Sequence, residues 1–167
     1  MSKSVRFLTL VFILTLTCSA LAAPKGLISG GITSQGDGLR PYLYGEVQLT
    51  GDLAIGLDVN SFVTTISFWS GVDRGIYAQG SWKHMEFGVP DIAELGVWTA
   101  LALASDIDVI GWAGLQAVKN DSTLRINVSA EAEVPLDHSL NLVTGGTATL
   151  LGEATRAYGW LGLAIRF

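Results

Sequence analysis

Hydrophobic and polar residues alternate along this chain with a period of two. From Leu53 to Asn60 the odd positions Leu53, Ile55, Leu57 and Val59 are aliphatic, and Ala54, Gly56, Asp58 and Asn60 between them are small or polar. Leu124, Ile126, Val128, Ala130, Ala132 and Val134 likewise share one face, opposite Arg125, Asn127, Ser129, Glu131 and Glu133. Leu43, Gly45, Val47 and Leu49 lie opposite Arg40, Tyr42, Tyr44, Glu46 and Gln48. Successive side chains of a strand point to opposite sides, so this pattern predicts strands and not helices. The stretches between carry Gly, Asn and Asp where the backbone must reverse: 35–38, 50–52, 71–74, 119–122, 135–138 and 152–155. The expected strands are 27–34, 39–49, 53–59, 62–70, 75–87, 95–104, 108–118, 123–134, 139–150 and 156–167. Merging across Asn60-Ser61 and one further short turn gives eight longer strands instead.

Two segments break the monotony. Residues 46–53 align without gaps on 133–140, each a strand, a tight turn and a strand, which supports hairpins. The segment 89–95 is the longest expected loop, with Asp91 placed to cap a single helical turn.

The N-terminus changes the picture of where the chain goes. Lys3 and Arg6 precede a nearly unbroken apolar stretch from Phe7 to Leu16, and Ala20-Leu21-Ala22 supplies small residues for cleavage before Ala23. The expected organisation is therefore a signal peptide over 1–22 and one domain over 23–167. The apolar stretch falls short of the roughly 20 residues of a spanning helix. Thr15-Leu16-Thr17 makes a poor lipobox before Cys18, so lipidation is not expected. Cleavage removes Cys18, the single cysteine, so no disulfide is expected. It also removes two cations, leaving 8 basic residues against 15 acidic and a net charge of −7. That balance argues against a nucleic-acid partner, which requires basic patches. Charged residues make up only 15% of the chain and mean hydropathy is +0.43. Apolar residues are nevertheless spread evenly, the way barrel strands distribute a membrane signal.

The last strand is the most specific motif. Leu161, Leu163, Ile165 and the terminal Phe167 share one face, and Trp160, Gly162, Ala164 and Arg166 the other. An amphipathic final strand ending on Phe resembles the closing strand of bacterial outer-membrane β-barrels. That resemblance implies an all-β, closed, antiparallel up-and-down transmembrane barrel of about 8–10 strands, its last strand paired with 27–34. It implies that Leu161, Leu163, Ile165 and Phe167 form the C-terminal insertion signal read by the barrel assembly machinery. It further implies outer-membrane lipid as surroundings, both termini on the periplasmic side, and delivery through the periplasm. Oligomeric state is not specified.

If the aliphatic faces meet lipid, then Arg40, Glu46, Asp58, Arg125, Glu131, Glu133 and Arg166 form a lumen polar network. Charges of both signs are expected to pair there, because an unpaired one costs several kcal/mol. Gly56, Gly96, Ala100, Ala102, Gly162 and Ala164 are expected to make room for Tyr42, Tyr44, Trp98, Trp112 and Trp160. Aromatic residues near strand ends, Phe167 foremost and then Trp69 and Tyr158, are candidates for an interfacial girdle.

Catalysis and cofactors find no support in the residues. Barrel deacylases place Ser two residues from His, and neither His84 nor His138 has that neighbour. His84 with Glu86 lacks a nucleophile, and Asp137-His138 sits in a tight turn without an opposing acidic pair. Metal-ligand spacing and a phosphate loop are both absent. The chain is read as a non-enzymatic outer-membrane barrel with a structural or interaction role. A narrow pore for small solutes is the first alternative. The second is a secreted soluble barrel with its aliphatic faces turned inward around a small apolar ligand, since period two does not say which face is wet.

Overall fold

The computed structural model describes residues 25–35, 38–60, 63–83, 89–104, 107–150 and 156–167. The expected signal peptide, His84 with Glu86, Ser61 and the turn at 152–155 lie outside the described residues.

Ten strands form one sheet: β1 (Gly26–Gln35), β2 (Gly38–Thr50), β3 (Leu53–Asn60), β4 (Val63–Gly71), β5 (Arg74–Lys83), β6 (Ile92–Ala104), β7 (Ile107–Val118), β8 (Arg125–Pro135), β9 (Leu140–Leu150) and β10 (Arg156–Arg166). Each pairs antiparallel with its neighbour in sequence, and β1 pairs with β10 to close the barrel. Ten strands, not eight, is the outcome. Near Asn60 the chain does turn, and the Val63 amide donates to the Asn60 side chain at 3.0 Å.

The closing seam joins Leu27 to Arg166 and Ser34 to Gly159. Beyond the ladder, the Gly26 amide donates to the Phe167 carbonyl at 2.8 Å, and the Phe167 amide to the Gly26 carbonyl at 3.0 Å. A side chain at position 26 would meet the Phe167 ring at 2.6 Å, so the glycine leaves the space the terminal aromatic occupies. With no open edge, every strand has a partner on both sides, which a wall in lipid requires.

The tight turns are built as their residues demand. Thr50 donates to the Asp52 carboxylate at 2.8 Å across the β2–β3 turn. Gly71 takes a φ of 110° before the β4–β5 turn, a conformation that only glycine adopts without strain. The segment 89–95 departs from expectation. Asp91 caps no helical turn, because β6 already begins at Ile92. Instead the Asp91 carboxylate accepts from the Lys83 amide at 2.9 Å, and its carbonyl accepts from the Lys119 amide at 2.8 Å. The residue thus ties the ends of β5 and β7 to the start of β6.

The molecule is apolar outside and polar inside. Leu95, Val97, Leu101, Leu115, Val128, Leu161, Leu163 and Ile165 are exposed on the outer wall. Among the described residues the buried apolar side chains are only Leu27, Tyr77, Val143 and Ala164, whereas eleven polar ones are buried. The alternative with the aliphatic faces turned inward is therefore not the arrangement found.

Candidate functional site: the packed lumen

The inward face of each strand follows from its register. Glu46 lies opposite Gly56, and Tyr44 opposite Asp58. Glu131 and Glu133 pair with Gly145 and Val143, and those with Trp160 and Gly162. Arg40, Glu46, Asp58, Arg125, Glu131, Glu133 and Arg166 all occupy this inner set of positions.

Among the described residues their hydrogen bonds and ion pairs fall into separate groups. Arg166 and Glu133 make an ion pair at 2.5 Å near the barrel end that carries Gly26 and Phe167, and Asn141 adds a donor to Glu133 at 3.3 Å. Arg125 turns to the opposite rim and pairs with Asp121 at 2.8 Å. Glu131 accepts from the Trp160 indole at 2.7 Å, and Glu46 from the Tyr44 hydroxyl at 2.5 Å. The Asp58 Oδ1 is closed to solvent and accepts no hydrogen bond among the described residues. Most inner carboxylates are thus satisfied by neutral donors and not by cations.

The organising group of the opposite half is Glu94, which sequence reasoning missed. It is 4% exposed. Its carboxylate accepts from Tyr77, from Gln79 at 2.9 Å, from Gln116 at 2.7 Å and from Asn127 at 3.3 Å. Asn127 passes the network on, accepting from Thr147 at 2.9 Å, and Ser129 donates to Thr147 at 2.5 Å. The signal was present but masked. Ile92 points inward and Ala93 outward, which reverses the usual apolar alternation and hides the start of β6.

Aromatic rings fill the space between these polar clusters. Trp69 stacks on Tyr77 with centroids 5.0 Å apart and meets Trp98 and Trp112 edge-on at 6.1 and 5.9 Å. Trp112 in turn contacts Trp160 at 6.1 Å, and Trp160 contacts Tyr158 at 6.3 Å. Trp69 and Tyr158 are consequently lumen residues and not girdle members, a correction to expectation. They lie near strand ends, but their register sets them on the inner face. Trp82 is the tryptophan on the outer wall, where its ring lies over Gly80 and Pro90.

Glycines admit these rings. A Cβ at Gly145 would come within 2.3 Å of Trp160, one at Gly162 within 2.4 Å of the Tyr42 hydroxyl, and one at Gly56 within 2.7 Å of the Tyr44 hydroxyl. The alternation of large and small residues leaves side chains where a pore would be. The described surface has a shallow depression of about 390 Å³ at the turn between β8 and β9, lined by Pro135, Leu136, Asp137, His138, Asn141 and Arg166. Asp137 caps the His138 amide at 2.7 Å, the role of a turn residue. Among the described residues, no group of three His, Cys, Asp or Glu side chains is placed to hold a metal ion. At the rim, the Asp121 carboxyl is held below its usual range by the Thr123 backbone N–H and by Arg125.

No family model and no curated protein matches this chain. Among solved structures it is similar to a de novo designed barrel, TMB2.3, at 13% identity, over 86% of this chain and 95% of that one, with a TM-score of 0.47. It is similar to the Yersinia pestis outer membrane protein Ail in a phospholipid bilayer nanodisc, at 11% identity over 86% and 99%, TM-score 0.46. The translocator domain of the autotransporter NalP from Neisseria meningitidis is similar at 10% identity over 86% and 87%, TM-score 0.46. The fold of this chain is a closed, ten-stranded, antiparallel up-and-down barrel, established by its own continuous ring of strand pairing.

Proposed function

We propose that the protein is a small integral outer-membrane barrel with a structural or interaction role, its wall the working surface and its lumen filled. One observation carries this reading: the closed wall turns its aliphatic face outward and its polar face inward. In water that arrangement would leave Leu95, Val97, Leu101, Leu163 and Ile165 solvated on one continuous surface, far beyond the patch a soluble monomer tolerates. In lipid the same face is the stabilising one. Strands of 8 to 13 residues match the roughly 9–11 residues a tilted strand needs to cross.

Delivery through a signal peptide over 1–22, recognition of Leu161, Leu163, Ile165 and Phe167 by the assembly machinery, and termini on the periplasmic side complete the proposal. Lumen carboxylates favour a second reading, a narrow cation-preferring pore, but the ring-to-ring packing of Trp69, Trp98, Trp112 and Trp160 supports closure.

The test is fractionation of the expressed full chain, followed by gel electrophoresis with and without boiling. Recovery in the outer membrane, with an unboiled band that migrates faster than the boiled one, is the expected result. Recovery in the soluble periplasm would overturn the membrane assignment.

A further inference from the structure

The lumen rings stand in file, and the two ends of the file differ. From Tyr158 the contacts run to Trp160 at 6.3 Å, on to Trp112 at 6.1 Å, to Trp69 at 5.9 Å and to Tyr77 at 5.0 Å. Tyr158, two residues into β10, is 41% exposed, whereas Tyr77 at the far end is 1% exposed. The Tyr77 hydroxyl donates to Glu94. That carboxylate accepts at both oxygens, from Tyr77 and Asn127 on Oε1 and from Gln79, Gln116 and Asn127 on Oε2. Acceptance at both oxygens is the pattern of the ionised, proton-free form. Glycines keep the backbone bare around the pair: a Cβ at Gly114 would come within 2.5 Å of the Tyr77 hydroxyl and 2.8 Å of Glu94. Filling alone does not call for this arrangement. Aliphatic side chains fill a barrel equally well and bring no N–H or O–H that needs a partner. Here Trp69 and Trp160 each find one, Ser67 at 3.1 Å and Glu131 at 2.7 Å.

We propose that this file is a one-electron relay, in which an oxidant at the Tyr158 end draws an electron from Tyr77 through the three indoles between them. The oxidant is a one-electron acceptor of the radical class, oxygen- or carbonate-centred, arriving at that rim of the barrel. Tyr77 gives up one electron to the file. Its O–H bond breaks, and the proton forms a new O–H bond on Glu94. The oxidant gains the electron, and each indole between is oxidised and then reduced, ending unchanged. Two physical reasons favour the path. Electron tunnelling falls exponentially with distance, so short steps between neighbouring rings outrun one jump across the lumen. A buried phenol with a base in place becomes a neutral radical, which avoids the cost of an unpaired cation away from water. Tyr44 makes the same kind of bond to Glu46 but none of these ring contacts, and so supplies the control. The relay lies within the closed barrel, so folded protein in detergent tests it whatever fractionation shows.

The experiment oxidises the folded full-length barrel in detergent with a photogenerated tris(bipyridine)ruthenium(III) ion in solution, then freezes it for electron paramagnetic resonance. Growth on ring-deuterated tyrosine narrows any tyrosyl signal and so separates it from tryptophan radicals. Wild type is expected to give a tyrosyl radical, and Tyr77→Phe to lose it and hold a tryptophan radical instead. Trp112→Phe, which keeps a ring in the lumen but not an oxidisable one, is expected to lose most of the Tyr77 signal. Glu94→Gln is expected to lose it as well, because no base remains. Tyr44→Phe retains the wild-type signal. A wild-type tyrosyl yield in Tyr77→Phe would overturn the relay and leave the radical on the exposed Tyr158. An undiminished signal in Trp112→Phe, or its loss in Tyr44→Phe, overturns it equally. The faster-migrating unboiled band shows which variants fold; if Tyr77→Phe does not, Trp112→Phe decides.

Discussion

Glu94 shows how a single side chain can organise half of a barrel. Its carboxylate gathers donors from β5, β7 and β8 while itself standing on β6. Removing it strands several buried donors at once, and each unsatisfied group costs about 1–3 kcal/mol. Glu94→Ala is accordingly expected to lose about 3 kcal/mol or more of stability, read as a lower urea midpoint for the folded barrel in detergent. Glu94→Gln keeps one acceptor oxygen and loses less. Equal stability of the alanine variant and wild type would contradict the central role assigned to this residue. The seven charged residues picked out by alternation were legible because they sit within long, faultless period-two runs. Their partners were not, because which residues meet across a lumen depends on the register of strands distant in sequence: Trp160 reaches Glu131, and Arg166 reaches Glu133.

Between the strands, the turns carry their own chemistry. The β7–β8 connection is held by Asp121, whose carboxylate accepts from the Thr123 amide at 2.9 Å and from Arg125 at 2.8 Å. These contacts favour the charged form, so the folded carboxyl titrates below the ordinary aspartate value of 3.8. A depressed pKa contributes stability above the unfolded value, and that contribution is lost as pH falls through the folded one. The Thr123 amide is thus expected to lose protection, measured against its intrinsic exchange rate at the same pH, once pH falls below 3.8, and in Asp121→Asn at neutral pH as well. A carboxyl titration by NMR with a midpoint above 3.8 would contradict the assignment. Strand boundaries read from alternation came within a few residues of those found, because Gly, Asn and Asp mark most reversals. The start of β6 escaped because Ile92 and Ala93 exchange the usual faces, and Asp91 serves three strand ends instead of a helical turn.

Across the barrel as a whole, the packed interior decides between a wall and a conduit. Polar clusters around Glu94 and Glu133 lie to either side of a belt of rings that interlock across the lumen. Barrels of this strand number enclose little more than their own side chains, and glycines at 56, 145 and 162 let the rings fill what remains. Reconstituted into planar bilayers, wild-type protein is expected to show no steady single-channel conductance. The double variant Trp69→Ala, Trp112→Ala, which removes the rings that meet edge-on at 5.9 Å, is expected to open a measurable one. Steady wild-type conductance would favour the narrow-pore reading instead.

The period, most of the turns and the two sets of residues that each strand presents were already fixed in the amino-acid order, because alternation and turn chemistry are local properties of the backbone. Which set would face outward was not local. Val128 reads the same whether it points to lipid or to the lumen, since two-fold alternation is symmetric. Closure of β1 onto β10 set the curvature of the wall, put Val128 on its outer side, and so gave the aliphatic residues to the surroundings and the carboxylates to the lumen. The same closure brought Trp69 and Tyr158 inside and set Glu94 among donors from three other strands, juxtapositions that exist only once the sheet has met itself.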